Sequence, residues 1–241
     1  GVGFRGKAEG IYGEVISAMN ESGAPIIAAD IPSGVEADTG AVLGPAVEAR
    51  RTVTFAWPKT GLYLFPGAEK VGELVIADIG IPEELVDGIV ESDIHTIESG
   101  HIAALLPHRS PQAHKGMCGR VLVVAGSVGL TGAAALCSRS ALRAGAGVVT
   151  LGIPASLNTI MEVKLTEVMT LPLPEEGEGA VGGGAVDKIL EAMEEHDALA
   201  LGPGLGTTID TREVITGLLE RVEKPVVLDA DGINAAAMEP W

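Results

Sequence analysis

The sequence predicts an α/β protein made of two parallel-sheet units. Hydrophobic residues make up 46% of its 241 positions and aromatic ones only 3%, so its cores must be built from Val, Ile, Leu and Ala, the palette of buried parallel strands. Short apolar runs alternate with helical stretches, as parallel sheets with right-handed crossovers require. Several of these runs break at their carboxyl ends into turns rich in Gly, Pro or Asp, where open α/β sheets bind ligands.

In order along the chain, Ile11, Val15 and Met19 recur every four residues and mark a helical face over residues 9–20, stopped by Gly23. A buried strand over 25–30 and strand-like runs over 52–57 and 73–80 complete a first unit reaching Glu91. Periodicity weakens from Ser92 to Gly116 apart from a helical turn near 102–106, so this stretch reads as a linker. Strands over 121–126, 148–153, 198–202 and 225–229 then interleave with helices. Two of these helices are amphipathic, with Val186, Ile189, Leu190 and Met193 in one and Val214, Leu218 and Val222 in the other. The glycine-rich stretch 177–184 reads as a flexible loop, and no internal repeat is found.

The net charge of −17 argues against a polyanion partner, because phosphate backbones are met by clustered Lys and Arg. Cys118 and Cys137 are too few and too far apart for a disulfide framework, and a reduced, cytosolic compartment is the default. No apolar run has the length of a membrane span, and the opening residues do not read as a basic-then-apolar leader, so neither a span nor a leader is expected. The chain opens without Met inside a glycine turn and stops directly after a strand, and is read as an internal fragment.

Asp30 closes an apolar strand and Pro32-Ser33-Gly34 turns away from it, which sets a carboxylate where acid/base chemistry is done. The Ser33 hydroxyl and the turn carbonyls are hard oxygens able to hold a cation. A cap on the turn or on a following helix explains Asp30 as well. The loop Gly1-Val2-Gly3-Phe4-Arg5-Gly6-Lys7 is either a phosphate-holding loop with its own cations or a plain turn. Asp38-Thr39-Gly40 and Lys59-Thr60-Gly61-Leu62 read as turn chemistry.

The stretch 119–132 runs from strand to glycine turn to helix, gathering N–H groups and the positive end of a helix at one point. Its spacing is neither the dinucleotide nor the Walker pattern. Ala133 and Ala134 leave room for a flat ring, or serve tight packing. Gly202-Pro203-Gly204-Leu205-Gly206 follows an apolar strand, and a Cβ at Gly204 is expected to enter the space a ring needs. Asp229 and Asp231 could meet a substrate hydroxyl or a metal, or be solvated. His114-Lys115 either adds charge to a phosphate site or is merely exposed. The histidines at 95, 101, 108 and 114 lack zinc-like spacing, so no structural metal is expected.

Taken together, these motifs resemble the bifunctional NAD(P)H-hydrate repair enzymes, a fusion of an NAD(P)HX epimerase with an ADP/ATP-dependent NAD(P)HX dehydratase. The resemblance covers nearly the whole chain. It implies a Rossmann-like epimerase part over 1–91, a linker and lead-in over 92–116, and a ribokinase-like dehydratase part over 117–241, both parts truncated. On the epimerase side it makes Gly1, Val2, Gly3, Phe4, Arg5, Gly6 and Lys7 a substrate loop, with Val2 where Thr is usual. It makes Asp30 the catalytic and substrate-binding acid and Ser33 a potassium ligand. On the dehydratase side it implies hydrate binding at Ala133 or Ala134 and at Gly204, with magnesium and ADP or ATP. Further potassium ligands would lie upstream, and the nucleotide loop and general base downstream, so the fragment alone is expected to be inactive. The complete protein is expected to be a cytoplasmic homo-oligomer acting on small nucleotide substrates, with no nucleic-acid or membrane partner. A ribokinase-superfamily small-molecule kinase and a non-catalytic nucleotide-binding scaffold are the rival readings. A downstream Gly-Thr-Gly-Asp loop would separate phosphoryl chemistry from mere binding.

Overall fold

The structure is a computed structural model and describes residues 2–82, 85, 94–177 and 179–238. The chain divides into two compact units, Gly1–Leu106 and Pro107–Trp241.

In the first unit, helix α1 (Ile11–Glu21) leads to strand β1 (Ile27–Ala29), followed by β2 (Arg51–Phe55), β3 (Glu73–Ala77) and helix α2 (Ser99–Leu105). The three strands form a parallel sheet in the order β1-β2-β3. The long β1–β2 connection carries much of the core: Ile31, Val35, Ala37 and Ala46 pack with Leu62 and Val71. Thr52 and Thr54 of β2 are buried, and the Thr52 hydroxyl is satisfied by donating to Val71 O at 2.7 Å. The apolar stripe of α1 does not face this core. Gly13 and Ile16 are the buried positions, whereas Ile11, at 65% exposed, Val15 and Met19 point outward. The reason is close approach: a Cβ at Gly13 would stand 2.9 Å from Ala8 O, so this glycine lets the helix settle on that side.

The second unit begins with β4 (Arg120–Val124), α3 (Thr131–Ala144), β5 (Val148–Pro154), α4 (Asn158–Lys164) and β6 (Met169–Leu173). It continues through β7 (Glu175–Glu176), β8 (Ala180–Val181), α5 (Ala185–Met193), β9 (Ala198–Leu201), α6 (Ile209–Leu219), β10 (Val226–Leu228) and α7 (Asp231–Ala236). Five parallel strands form one sheet in the order β10-β9-β4-β5-β6. Both faces are covered, as a parallel sheet needs. Leu122 and Val124 of β4 pack toward α5 and α6, through Ile189, Met193, Val214 and Leu218, while Val123 packs toward α3 and α4, through Ala134 and Met161.

The glycine-rich stretch expected to be a flexible loop is partly structured. Val181 is fully buried and β8 pairs antiparallel with β7, because this hairpin closes the core beside Leu173. Strand β6 had no clear signal in the sequence, and it tolerates Pro172 because it is an edge strand.

Candidate functional site

The first unit gathers its chemistry at the carboxyl ends of β1 and β2. Asp30 follows β1 with φ +68°, a left-handed conformation uncommon outside glycine. Its N–H donates to Val53 O at 2.7 Å, which extends the β1–β2 ladder and holds the residue there. Three donors meet one carboxylate oxygen. Thr54 Oγ1 donates to Asp30 Oδ1 at 3.1 Å, the Phe55 N–H at 3.3 Å, and the Lys59 ammonium forms the closest contact. Among the described residues no donor reaches Oδ2. Lys59 also donates to Thr54 Oγ1 at 3.1 Å and to Phe55 O at 3.2 Å. The Asp30 and Lys59 side chains keep only 21% and 24% of their surface exposed. Burial pushes the Asp30 carboxyl up, but the Lys59 hydrogen bond, the Phe55 N–H, the Lys59 charge and the Thr54 hydroxyl together hold it below its ordinary value.

Sequence reasoning assigned Lys59 to turn chemistry. It does begin a 3-10 turn over Thr60–Leu62, yet its side chain folds back onto Asp30. A cation just beyond the carboxyl end of a neighbouring strand was the available signal, but which strands are neighbours is not written in the sequence. Asp38, Thr39 and Gly40 do form a turn, with Ala41 N–H donating to Thr39 Oγ1 at 3.2 Å and Gly40 at φ +71°.

Gly1 of the expected substrate loop lies outside the described residues. Val2, Gly3, Gly6 and Lys7 are exposed, and the half-buried Phe4 packs against the small core cluster of Ala8, Ile16, Ala28, Val47 and Ala49. Arg5 binds Asp38 and lies 3.4 Å from Glu36, so its charge is engaged with the segment that follows the Asp30 turn. Ser33 is exposed, its carbonyl accepts from Val47 N–H at 2.8 Å, and its hydroxyl has no partner among the described residues. A hard cation gathers several oxygens. Ser33 fits a cation site as one donor of a set that the described residues do not complete.

The second unit builds its candidate site from backbone. Strands β4 and β9 are neighbours, with Val124 opposite Leu201, and the chain departs from β4 toward β5 on one side and returns to β9 on the other. That is a topological switch point, where doubly wound sheets open a crevice. The glycine turns after β4 and β9 meet there. Gly126 N–H donates to Pro203 O at 2.9 Å, and the buried Ser127 hydroxyl donates to Gly204 O at 2.9 Å. Of the two alanines opening α3, Ala134 is fully buried and belongs to the core, while Ala133 is partly exposed beside Gly204.

The space that a Cβ at Gly204 would enter is filled by the protein itself and is not the open ring space expected. A Cβ there would lie 3.0 Å from Ala133 Cβ and 3.1 Å from Leu130 Cβ and O, and φ is +69°. Glycine is required because two turns touch. Asp231 is tied into the same turns, its Oδ2 accepting from Gly206 N–H at 2.9 Å. The His114-Lys115 segment does not join this site. The Lys115 carbonyl lies against Gly147 at the amino ends of β4 and β5, about 15 Å of strand away from the glycine turns. Among the described residues, no cluster of three or more His, Cys, Asp or Glu could hold a metal, and no helix is long and apolar enough to cross a membrane.

Comparison with known proteins agrees with this two-part architecture. Residues 121–240 match the family model described as NAD(P)H-hydrate dehydratase, and residues 1–61 match that described as the YjeF-related protein N-terminus. The chain is 45% identical over 239 residues to a bifunctional NAD(P)H-hydrate repair enzyme of Moorella thermoacetica, covering 99% of this chain and 45% of the relative. It is 41% identical over 237 residues to the enzyme of the same name from Thermofilum pendens, covering 98% and 44%. A solved structure of a hypothetical protein from Streptococcus mutans shares the fold at TM-score 0.51 and 23% identity, over 61% of this chain and 50% of that one. The chain spans about half the length of the curated relatives it matches. With both domain models matched on one polypeptide, the chain belongs to the family of bifunctional NAD(P)H-hydrate repair enzymes.

Proposed function

We propose that this protein repairs hydrated NADH and NADPH, its first part interconverting the R and S hydrates and its second taking part in ADP- or ATP-dependent dehydration back to NAD(P)H. The observation that carries this reading is the presence of both family domains in one chain. We assign residues 1–91 to the epimerase part, 92–116 to the connection and 117–241 to the dehydratase part. The family matches and the division into two compact units support this assignment.

The hydrate carries a hydroxyl and the ring nitrogen on the same carbon, C6. Asp30 takes the hydroxyl proton, the oxygen's electron pair forms a C=O bond, and the C6–N1 bond breaks with its pair on N1, which the conjugated carboxamide stabilises. Reclosure on the opposite face, with the proton returned to oxygen, inverts C6. An ionised, partly shielded carboxylate suits this exchange. Val2 to Lys7 would approach the substrate, and Ser33 would supply one oxygen to a potassium ion completed by other parts of the protein.

In the second part, Ala133 and Gly204 would border the hydrate. Phosphoryl transfer from ADP or ATP to the C6 hydroxyl and elimination of phosphate depend on positioning and charge neutralisation, which a bound magnesium ion would supply. The net charge of −17 supports a protein without a nucleic-acid partner, and we place it in the cytoplasm as a homo-oligomer.

The test is Asp30→Asn in the protein expressed from its complete reading frame. Epimerisation, followed by chiral separation of the hydrates, should fall about 100-fold or more while dehydration of the correct epimer is unchanged. Loss of dehydration with epimerisation intact would reverse the division of labour.

A further inference from the structure

Lys59 is the feature that the proposed chemistry leaves unexplained. A partly shielded lysine that spends its three N–H donors on Asp30 Oδ1, Thr54 Oγ1 and Phe55 O has given up solvent and rotamer freedom for one fixed geometry. The backbone is shaped to bring it there. Ala56 takes φ +57°, Trp57 N–H closes onto Phe55 O at 2.8 Å, and Pro58 follows, so that Lys59 returns over the end of its own strand. Thr54 is fully buried and links the two charged groups, donating to one and accepting from the other. All donors converge on Oδ1.

We propose that Lys59 is a positioning residue for proton transfer by Asp30: with Thr54 and the Phe55 N–H it anchors Oδ1 and leaves Oδ2 as the oxygen that exchanges the proton with the substrate. The proposal rests on the reading of Asp30 as the epimerase acid/base. In the resting site the carboxylate is anionic and Lys59 cationic. The proton moves from the substrate hydroxyl to Oδ2 and back, and Lys59 keeps its own three throughout. A surface ion pair with no such role would involve either oxygen and would tolerate loss of the lysine.

The experiment compares Lys59→Met and Lys59→Arg with wild type in the complete protein, measuring epimerisation, dehydration and thermal unfolding. Lys59→Met should lower kcat for epimerisation about 10- to 100-fold with KM changed less than about threefold, since the loss falls on the proton-transfer step rather than on binding. The acid limb of its pH profile should move up, because the carboxylate loses the cation that favours ionisation. Lys59→Arg should recover part of the rate and the lower acid limb, and dehydration should be unchanged in both. If Lys59→Met lowers thermal stability enough to prevent assay, Lys59→Gln, which keeps a donor without the charge, is read in the same way. Wild-type kcat and an unmoved acid limb in a folded Lys59→Met or Lys59→Gln protein would overturn the proposal while leaving Asp30 in place. Normal epimerisation by Asp30→Asn would instead overturn the underlying reading.

Discussion

The two candidate sites occupy the same kind of place, the carboxyl ends of adjacent parallel strands, and are built from opposite materials. In the first unit the working groups are side chains: Asp30, Thr54 and Lys59 form a compact charged cluster, and the backbone is bent at Asp30 and Ala56 to present them. In the second unit the side chains are nearly absent. Two glycine turns clasp each other through Gly126–Pro203 and Ser127–Gly204 bonds, and the carboxylate bonded there among the described residues, Asp231, holds Gly206 N–H. The difference teaches what each site can do. A charged, oriented carboxylate can move a proton, whereas a cradle of backbone can bind and position a nucleotide-like ligand but needs its acid/base from elsewhere.

If the contrast is sound, damage to the second site should be structural and damage to the first chemical. Gly202→Ala is the sharpest break. Its Cβ would stand 2.0 Å from Asp229 O and 2.6 Å from Gly232 N, with φ at +123°, so we expect a loss of about 4 kcal/mol or more in the second unit. In the complete protein, limited proteolysis should then cleave within 107–241 while the proposed epimerisation persists; a variant that stays protease-resistant would show that these turns have slack. Next comes Ser127→Ala, which removes a buried hydrogen bond and leaves Gly204 O unpaired there. About 1 kcal/mol of stability should be lost, read from a urea midpoint, and no change would mean the clasp is held by packing alone.

The smallest effect concerns acid. Asp30 titrates lower in the folded protein than in the unfolded chain, so its contribution to stability is complete above about pH 4, the unfolded value, and is lost as pH falls through the lowered folded value. Wild type should therefore lose more unfolding free energy between pH 5 and pH 3 than Asp30→Asn, by an amount kept small because the pair is partly exposed to solvent. Equal losses would mean that the carboxylate is not differentially stabilised.

Composition, periodicity and turn chemistry determined a good deal unaided. They are local properties, set by how residues a few positions apart meet one face of a helix or strand. The α/β class, the strands read over 121–126, 148–153 and 198–202 to within two residues at each end, the amphipathic helix around Ile189 and Met193, and the Asp30 turn were all legible in this way. Even there a stripe showed that a helix exists without showing which side is buried: Ile11, Val15 and Met19 mark α1, yet Gly13 and Ile16 make its contact. Strand β6 and the β7–β8 hairpin escaped because Pro172 and clustered glycines are breakers when read locally, and are tolerated only at a sheet edge or over a core that distant residues supply. What tertiary structure alone decided is which cassettes meet. Strand order sets β9 beside β4, bringing Gly204 to Ala133, and sets β2 beside β1, bringing Lys59 to Asp30. Those contacts span 71 and 29 positions, and no local pattern specifies a neighbour at that range, since hydrogen-bonded ladders will accept any strand whose buried face fits.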